Sequence, residues 1–510
     1  MAVTNAGAEQ TSVRQTGILP PAWLRQIMED QTEEAPRLYA WTTRHLSSPP
    51  PPPPPSSSSS SKEDDDTTRR RRKRRIHILG IGNMGRLYSA CLSRIPAPDR
   101  PPITLVVHRR ELLEHWARDP GIELKGGVEG REMVYRCDDF DVEWWTEERP
   151  PPGEKEVEVE EVPEIANIVI ATKAADAMTQ VDRLRRYLGP NSTVAFAQNG
   201  VCRLWPPLGE VYVRTRYKEG SSGPNWIACV NMHGVYSEGR PFRSVHAAPA
   251  TALVGPVLTS TSSRATSSSS SDSDSDTFID DDGGSYLMRQ ISRAPSLEAR
   301  QVSRKELWTA QLEKLVVNVV INPLTAVLRC KRNGEIFSST TPVRDDDDDR
   351  LPIVIDELLR EASACLSALI RDEGSDEILL SHSDADSVTM HEKEKEKEKA
   401  KEREREREEL LDRFSFASLK KTVLEVGEKV KDNTSSMAQD MAAGKRTEID
   451  EMNGWLVDTA NVLQASSRLN RSSVVGEELR LRLPTHEKLI QLVKSREHLS
   501  RGELCERLLD

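Results

Sequence analysis

Paired cysteines, long apolar runs and a basic face are all missing from this chain, and each absence closes off a class of protein. The seven cysteines, Cys91, Cys137, Cys202, Cys229, Cys330, Cys365 and Cys505, are scattered, odd in number and free of CxxC spacing. No zinc site and no disulfide framework follow, and a reducing compartment is expected. No apolar window approaches the roughly 20 residues that span a bilayer, and the N-terminus has no apolar signal core, so no membrane partner is expected. The first 46 residues mix Arg with Glu and Asp, unlike a mitochondrial presequence. The cytoplasm is the expected location, with a mitochondrial pool left open. Net charge is -11, and basic residues gather mainly in "RRRRKRR" at Arg69 to Arg75. That run reads as the end of a solvated linker, and no nucleic-acid partner is expected.

Apolar residues are also scarce, at 36% against 30% charged over 510 residues. Setting aside low-complexity tracts leaves about 300 to 350 residues, enough for one α/β domain and one helical domain. The tracts are "SSPPPPPPPSSSSSSKEDDD", a Ser/Asp repeat after Thr259, "VRDDDDDR", and "HEKEKEKEKAKEREREREELLDRF", which is either a solvated helix of opposite-charge neighbours or unfolded. Four strand-like runs, "RRIHILG", "ITLVVHR", "IANIVIATKA" and "STVAFAQNGV", alternate with helical stretches. That alternation predicts βαβ units and a parallel sheet. From Leu307 onward 3.6-residue periodicity dominates. The expected fold is therefore an α/β Rossmann-type domain with a parallel sheet, followed by an all-α C-terminal domain, with long disordered insertions. Expected boundaries are 1–74 for a largely disordered extension, 75–258 for the nucleotide domain, 259–300 for the Ser/Asp-rich insertion, and 301–510 for the helical domain with a charged insertion near 343–410. Glu143 to Glu164 reads as a surface insertion between the second and third strands.

The first strand ends in "GIGNMG", a GxGxxG turn opening a helix. Gly80 permits the tight turn, Gly82 lets backbone approach a pyrophosphate, and Gly85 lets helix pack on strand, with Asn83 and Met84 between the last two. Phosphates would meet free N–H groups and the positive end of the helix dipole. At the end of the second strand, where an acidic residue would accept from ribose hydroxyls, the chain carries Arg109 and Arg110. Guanidinium groups there suit a 2'-phosphate, so NADP is expected over NAD; the plainer reading is that both arginines start an exposed helix.

In "LEKLVVNVVINPLTAVL", a helix from about Lys305 to Ile321 puts Trp308, Leu312, Leu315 and Val319 on one face and Lys314, Asn318 and Asn322 on another. Pro323 predicts a break, with Asn322 capping a new helix. A lysine among Leu, Val and Trp is costly unless paired or facing a cleft, and desolvation lowers its pKa toward a range useful for proton donation.

The segments "ILGIGNMG", "VIATKA", "AQNGV", "LEKLVVNVVINPLTAV" and "SSMAQDMAAGKRTEIDEMNGWL", in that order, make the chain resemble the ketopantoate reductase (2-dehydropantoate 2-reductase) family. The resemblance implies a Rossmann domain binding NADPH and a helical domain closing over a small 2-keto acid. The implied reaction is reduction of 2-dehydropantoate to (R)-pantoate, on the route to pantothenate and coenzyme A. It further implies Lys314 as general acid and Glu448 as the carboxylate that grips the substrate hydroxyl. Ser436 would bind the substrate carboxylate, Asn318 and Asn322 its hydroxyl and carboxylate ends, Asn199 would sit by nicotinamide and substrate, and Lys173 by the cofactor. A monomer or homodimer and no metal are expected. Two other readings stay open: a reductase of another small 2-keto acid, and a reductase-like binding protein without catalysis.

Overall fold

The computed structural model describes residues 21–30, 34–46, 62–128, 131–149, 162–217, 223–258, 286–337, 349–379, 392–470 and 481–510. The chain divides into two compact units: Asp30–Leu204 with Tyr212–Leu307, and Met1–Glu29 with Trp205–Val211 and Trp308–Asp510. Most of the polyproline-serine tract, the Ser/Asp repeat up to 285 and all but the end of "VRDDDDDR" lie outside the described residues.

The first unit is built on strands β1 (Tyr39–Trp41), β2 (Ile76–Leu79), β3 (Ile103–Val107), β4 (Ile122–Val128), β5 (Arg131–Cys137), β6 (Asp141–Thr146), β7 (Asn167–Ile170), β8 (Thr193–Phe196), β9 (Asn225–Asn231), β10 (Gly234–Ser237), β11 (Arg243–Ala248), β12 (Ala252–Leu258) and β13 (Ala299–Gln301). Nine form one sheet in the order β1-β6-β3-β2-β7-β8-β9-β12-β13, and the rest form a second in the order β10-β11-β4-β5. From β6 through β9 the first sheet is parallel; β1 and β12 join it antiparallel. Every residue of β2, β3, β7 and β8 is buried, as strands covered on both faces require. This is why they read as mostly apolar runs rather than alternating ones, with His77 and Thr104 the polar residues inside β2 and β3. Because β2 lies between β3 and β7, strand order reverses there, which places a nucleotide crevice at its carboxyl end.

Several expectations meet a different outcome: the expected Ser/Asp-rich insertion, 259–300, includes helix Tyr286–Arg293 and the start of β13, and the expected charged insertion near 343–410 includes helix Leu351–Arg371. The stretch expected to be an insertion from Glu143 begins inside the sheet, since β6 pairs with β3 and buries Val142, Trp145 and Thr146. Its tryptophans supply the apolar area that the surrounding acidic residues conceal. Within 1–74, expected to be largely disordered, β1 forms the sheet edge. Trp41 is buried there, packs 5.5 Å from Trp144 and donates its indole N–H to Glu148 O at 2.9 Å. The Arg-rich run lies in a helix, Lys62–Arg74.

In the helical unit, Leu351–Arg371 is the central helix and buries Leu351, Val354, Leu358, Ala362, Cys365 and Leu369 on one stripe. Helices Phe416–Lys429, Asn453–Asn470, Pro484–Lys494 and Arg501–Leu509 pack on it or on its neighbours. Trp205 joins this unit by donating its buried indole N–H to the Gln311 side chain. Of the two readings of the charged tract, the helix is the observed one, Glu392–Arg413. Its C-terminal half is docked: Arg403 and Arg407 bond Asp376, and Leu410 and then Phe414 are buried. The helix carrying Lys314 runs unbroken from Arg304 to Val327 with Pro323 inside it. The predicted break at Asn322 does not occur, for a reason found in the side chain of Asn453.

Three buried imidazoles, His77, His246 and His486, are each held neutral chiefly by desolvation, with pKa values pulled down to about 4. The unfolded chain binds those protons near pH 6.5, so these three groups should leave stability unaffected above that pH and lower it between pH 6.5 and 4. With all three protons taken up on unfolding, the limiting slope is about 4 kcal/mol per pH unit. Unfolding midpoints by circular dichroism across that range test this; a midpoint flat from pH 6.5 to 4.5 would refute it.

Candidate active site

The glycine turn follows β2 directly. Gly80 has φ of 93°, and a Cβ there would lie 2.7 Å from the backbone nitrogen of Thr172. At Gly85 a Cβ would meet the carbonyl oxygen of Gly80 at 2.0 Å, whereas at Gly82 it would meet nothing within 4 Å. Two glycines are therefore spent on packing, and the middle one keeps space clear. Gly82 caps helix Asn83–Leu92 without a side-chain bond, so the first-turn N–H groups have no side-chain acceptor from the cap. Asn83 opens this helix with its Oδ1 accepting from Ser244 Oγ at 3.3 Å, and Met84 packs on the core. Arg86 braces the turn, donating from Nε to Ile81 O at 3.1 Å and from its guanidinium to Arg243 O at 2.6 Å and Ser244 Oγ at 2.9 Å.

The neighbouring strands end beside this turn with polar residues. Lys173 follows β7, exposed and N-capping helix Ala174–Leu184; Asn199 follows β8, partly buried, before Gly200 at φ of 89°. The residues preceding them, Thr172 and Gln198, were not singled out from sequence. Thr172 Oγ1 and Gln198 Oε1 are buried with no hydrogen-bond partner. Orphaned polar atoms at the carboxyl end of a parallel sheet, beside a glycine whose Cβ position is open, fit a bound dinucleotide.

After β3, Arg109 is the exposed N-cap of helix Arg110–Arg118. Arg110 is engaged elsewhere: it donates to Glu114 Oε1 at 3.0 Å and lies over the Trp41 ring at 5.5 Å. Both arginines stand exposed at the start of a helix that buries Leu113 and Trp116, and of the two Arg109 is the less committed.

The helical unit brings a second group together. Lys314 is partly buried, and desolvation pulls its pKa down to about 8, opposed by the charge of Glu448. Glu448 is buried in the turn preceding helix Asn453–Asn470. Asn318, one turn after Lys314, is partly buried; Asn322, a turn further, is buried with Nδ2 3.5 Å from Met452 Sδ, a weak contact. Ser435, rather than Ser436, caps helix Ser436–Ala442, accepting from Ala438 N at 3.1 Å. Ser435 Oγ also lies 2.7 Å from Thr325 Oγ1 on the lysine helix. The neighbouring Ser436 is thereby fixed with its side chain exposed. Lys314, Asn318, Asn322, Ser436 and Glu448 thus fall in one unit, and the glycine turn, Arg109, Arg110, Lys173 and Asn199 in the other. Among the described residues no cluster of three or more His, Cys, Asp or Glu could hold a metal.

Comparison with known proteins agrees with this division. Residues 76–258 match the profile described as "Ketopantoate reductase PanE/ApbA", and residues 306–497 match "Ketopantoate reductase PanE/ApbA C terminal". A ketoisovalerate reductase BEA2 of Gibberella fujikuroi is 39% identical over 445 residues, covering 86% of this chain and 91% of that protein. A ketoisovalerate reductase of Beauveria bassiana is 37% identical over 499 residues, covering 96% and 99%. A probable 2-dehydropantoate 2-reductase of Schizosaccharomyces pombe is 27% identical over 330 residues, covering 63% and 76%.

Proposed function

The chain belongs to the ketopantoate reductase PanE/ApbA family, and on that premise we propose that it reduces the keto group of a small branched 2-keto acid, using NADPH in preference to NADH. The observation that carries this reading is Lys314, an ammonium on an apolar helix whose pKa is drawn to about 8 and held there against Glu448. Such a group is protonated at neutral pH yet close enough to release its proton to an oxygen gaining charge. The dihydronicotinamide, when bound, supplies hydride to the keto carbon. Lys314 gives its proton to the keto oxygen, forming the alcohol, and is left as a neutral amine that solvent reprotonates. Ser436 and Asn318 supply a hydroxyl and an amide suited to the substrate carboxylate, and Glu448 holds the ammonium in place.

The substrate we favour is 2-ketoisovalerate, because two relatives named for that activity align over nearly their whole length at 39% and 37% identity. A second reading, 2-dehydropantoate reduction in pantothenate and coenzyme A synthesis, is supported by Asn318, Asn322 and Glu448, polar groups in the same unit as Lys314. The two acids differ by one hydroxymethyl group, and those three side chains could hydrogen-bond its hydroxyl. NADPH oxidation measured with each acid decides: a higher kcat/KM for 2-ketoisovalerate supports the first reading. A preference of more than about tenfold for 2-dehydropantoate selects the second, and no turnover of either overturns both.

For the cofactor, Arg109→Ala should raise KM for NADPH by about ten- to a hundredfold, the worth of a charge-assisted phosphate contact, and leave KM for NADH nearly unchanged. Arg110→Ala should move either value by less than about threefold, since its guanidinium is held by Glu114 and Trp41. Equal losses for both cofactors in the Arg109 variant would remove the 2'-phosphate assignment.

A further inference from the structure

We propose that Asn453 is a positioning residue for the proton-donating lysine: its side-chain amide takes the place of the N–H that Pro323 lacks and so locks the Glu448 segment in register with the lysine helix. This rests on the reductase reading above. In an α-helix the N–H of residue 323 would bond the carbonyl of Val319, and proline has no N–H to give. The carbonyl is not left empty. Asn453 Nδ2 donates to Val319 O at 2.9 Å, from a fully buried side chain 134 residues away in sequence.

The second N–H of the same amide points to His486 Nδ1 at 2.9 Å, and His486 Nε2 lies 3.1 Å from Leu358 O. A carbonyl beside Nε2 fixes the proton on that nitrogen, leaving Nδ1 as an acceptor, which requires the neutral ring that burial enforces. Glu361 anchors the histidine in turn, accepting from the backbone N–H groups of Thr485 at 2.9 Å and His486 at 3.1 Å. Acceptors on both sides of Nδ2 fix the orientation of the amide. Its Oδ1 is then buried without a partner, a cost of about 1–3 kcal/mol.

That half-satisfied amide is not a helix cap, because it donates away from its own helix, which begins at Asn453. What it fixes is register. Glu448 lies five residues upstream in a turn closed by Glu451 N to Glu448 O at 3.2 Å and Gly454 N to Ile449 O at 3.0 Å. The intervening Met452 touches Asn322. This short segment therefore meets the lysine helix near Lys314, at Val319 and at Asn322, and the Asn453 amide makes the strongest directional bond of the three.

The test is a cycle of full-length chains: parent, Asn453→Ala, Pro323→Ala and the double variant. Replacing Pro323 restores the missing N–H, so the double variant satisfies the Val319 carbonyl within the helix but still lacks the tie to the Glu448 segment. Asn453→Ala should lower kcat about tenfold or more while the Kd for NADPH stays within about twofold, and the double variant should recover thermal stability but not kcat. The basic limb of the kcat profile should move to lower pH in Asn453→Ala, as Lys314 loses the support of Glu448, and stay there in the double variant. Recovery of kcat in the double variant, or loss of thermal stability alone in Asn453→Ala, overturns the proposal. Should Asn453→Ala not fold, a folded double variant of low kcat supports it, and a fully active double variant or two unfolded variants overturn it. If the parent reduces neither keto acid, the reading of the reaction fails; the network is then judged by NMR titration of the Lys314 ammonium in the ligand-free chains. There a midpoint that shifts in Asn453→Ala and stays shifted in the double variant sustains the inference, and a midpoint that is unmoved or that returns in the double variant ends it.

Discussion

Lys314→Met should give a folded chain, at least as stable as the parent, whose turnover with the keto acid falls by about two to four orders of magnitude. Methionine keeps the apolar stem and removes the ammonium, which is the part that burial penalises. A residue held for structure would not show that pairing of unimpaired stability with lost activity. The pH profile supplies the second signature. A general acid must start protonated, so with its pKa drawn down to about 8 the parent should be active below that pH and lose kcat as pH rises through it. The basic limb should vanish in the Met variant. In Glu448→Gln it should move to lower pH, because the charge that opposes desolvation is gone. NADPH affinity should hardly change in either chain, since neither residue is in the unit that carries the glycine turn. Parent-like turnover in Lys314→Met would end the mechanism.

The residues legible in sequence were those whose chemistry is visible within a few positions. Gly80, Gly82 and Gly85 declare a turn by spacing, and Lys314, Asn318 and Asn322 declare a polar stripe at helical period against an apolar face. The buried β2, β3, β7 and β8 were equally plain, because strands covered on both sides leave mostly apolar runs. What stayed hidden depends on distant partners. β6 looked like an acidic surface insertion because the sheet that buries Val142 and Trp145 is made elsewhere in the chain. Tyr39–Trp41 gave too short a signal to stand out from its polar surroundings, and only the partner strand β6 explains it. Pro323 signalled a break by a rule that is sound for an isolated helix. The rule failed because a donor from residue 453 satisfies the carbonyl that proline abandons. Thr172 and Gln198, one position before Lys173 and Asn199, carry no spacing signal; their unpartnered oxygens are evident only once both strands end at the same crevice.

Gly82→Ala and Gly85→Ala, three positions apart on one turn, should fail in opposite ways. A methyl group at position 85 would stand 2.0 Å from the Gly80 carbonyl oxygen and 3.5 Å from Ala171 Cβ. The nearer neighbour is backbone, locked by the conformation of Gly80 at φ of 93°, so helix and strand must separate. The expected cost is about 3 kcal/mol or more, at the upper end for overpacking, seen as a lower unfolding midpoint before any cofactor is added. At position 82 a methyl group meets nothing within 4 Å, and the backbone there, at φ of -76°, suits alanine. Stability should therefore stay within about 0.5 kcal/mol of the parent. Dinucleotide affinity should nevertheless drop by about ten- to a hundredfold, because the methyl group occupies the space in which a pyrophosphate approaches the helix N-terminus. Thermal unfolding with and without NADPH separates the two: Gly85→Ala lowers both midpoints, and Gly82→Ala removes only the increment that ligand adds. A Gly82→Ala chain that keeps the full increment would mean that the open space beside the turn is not where the phosphates sit.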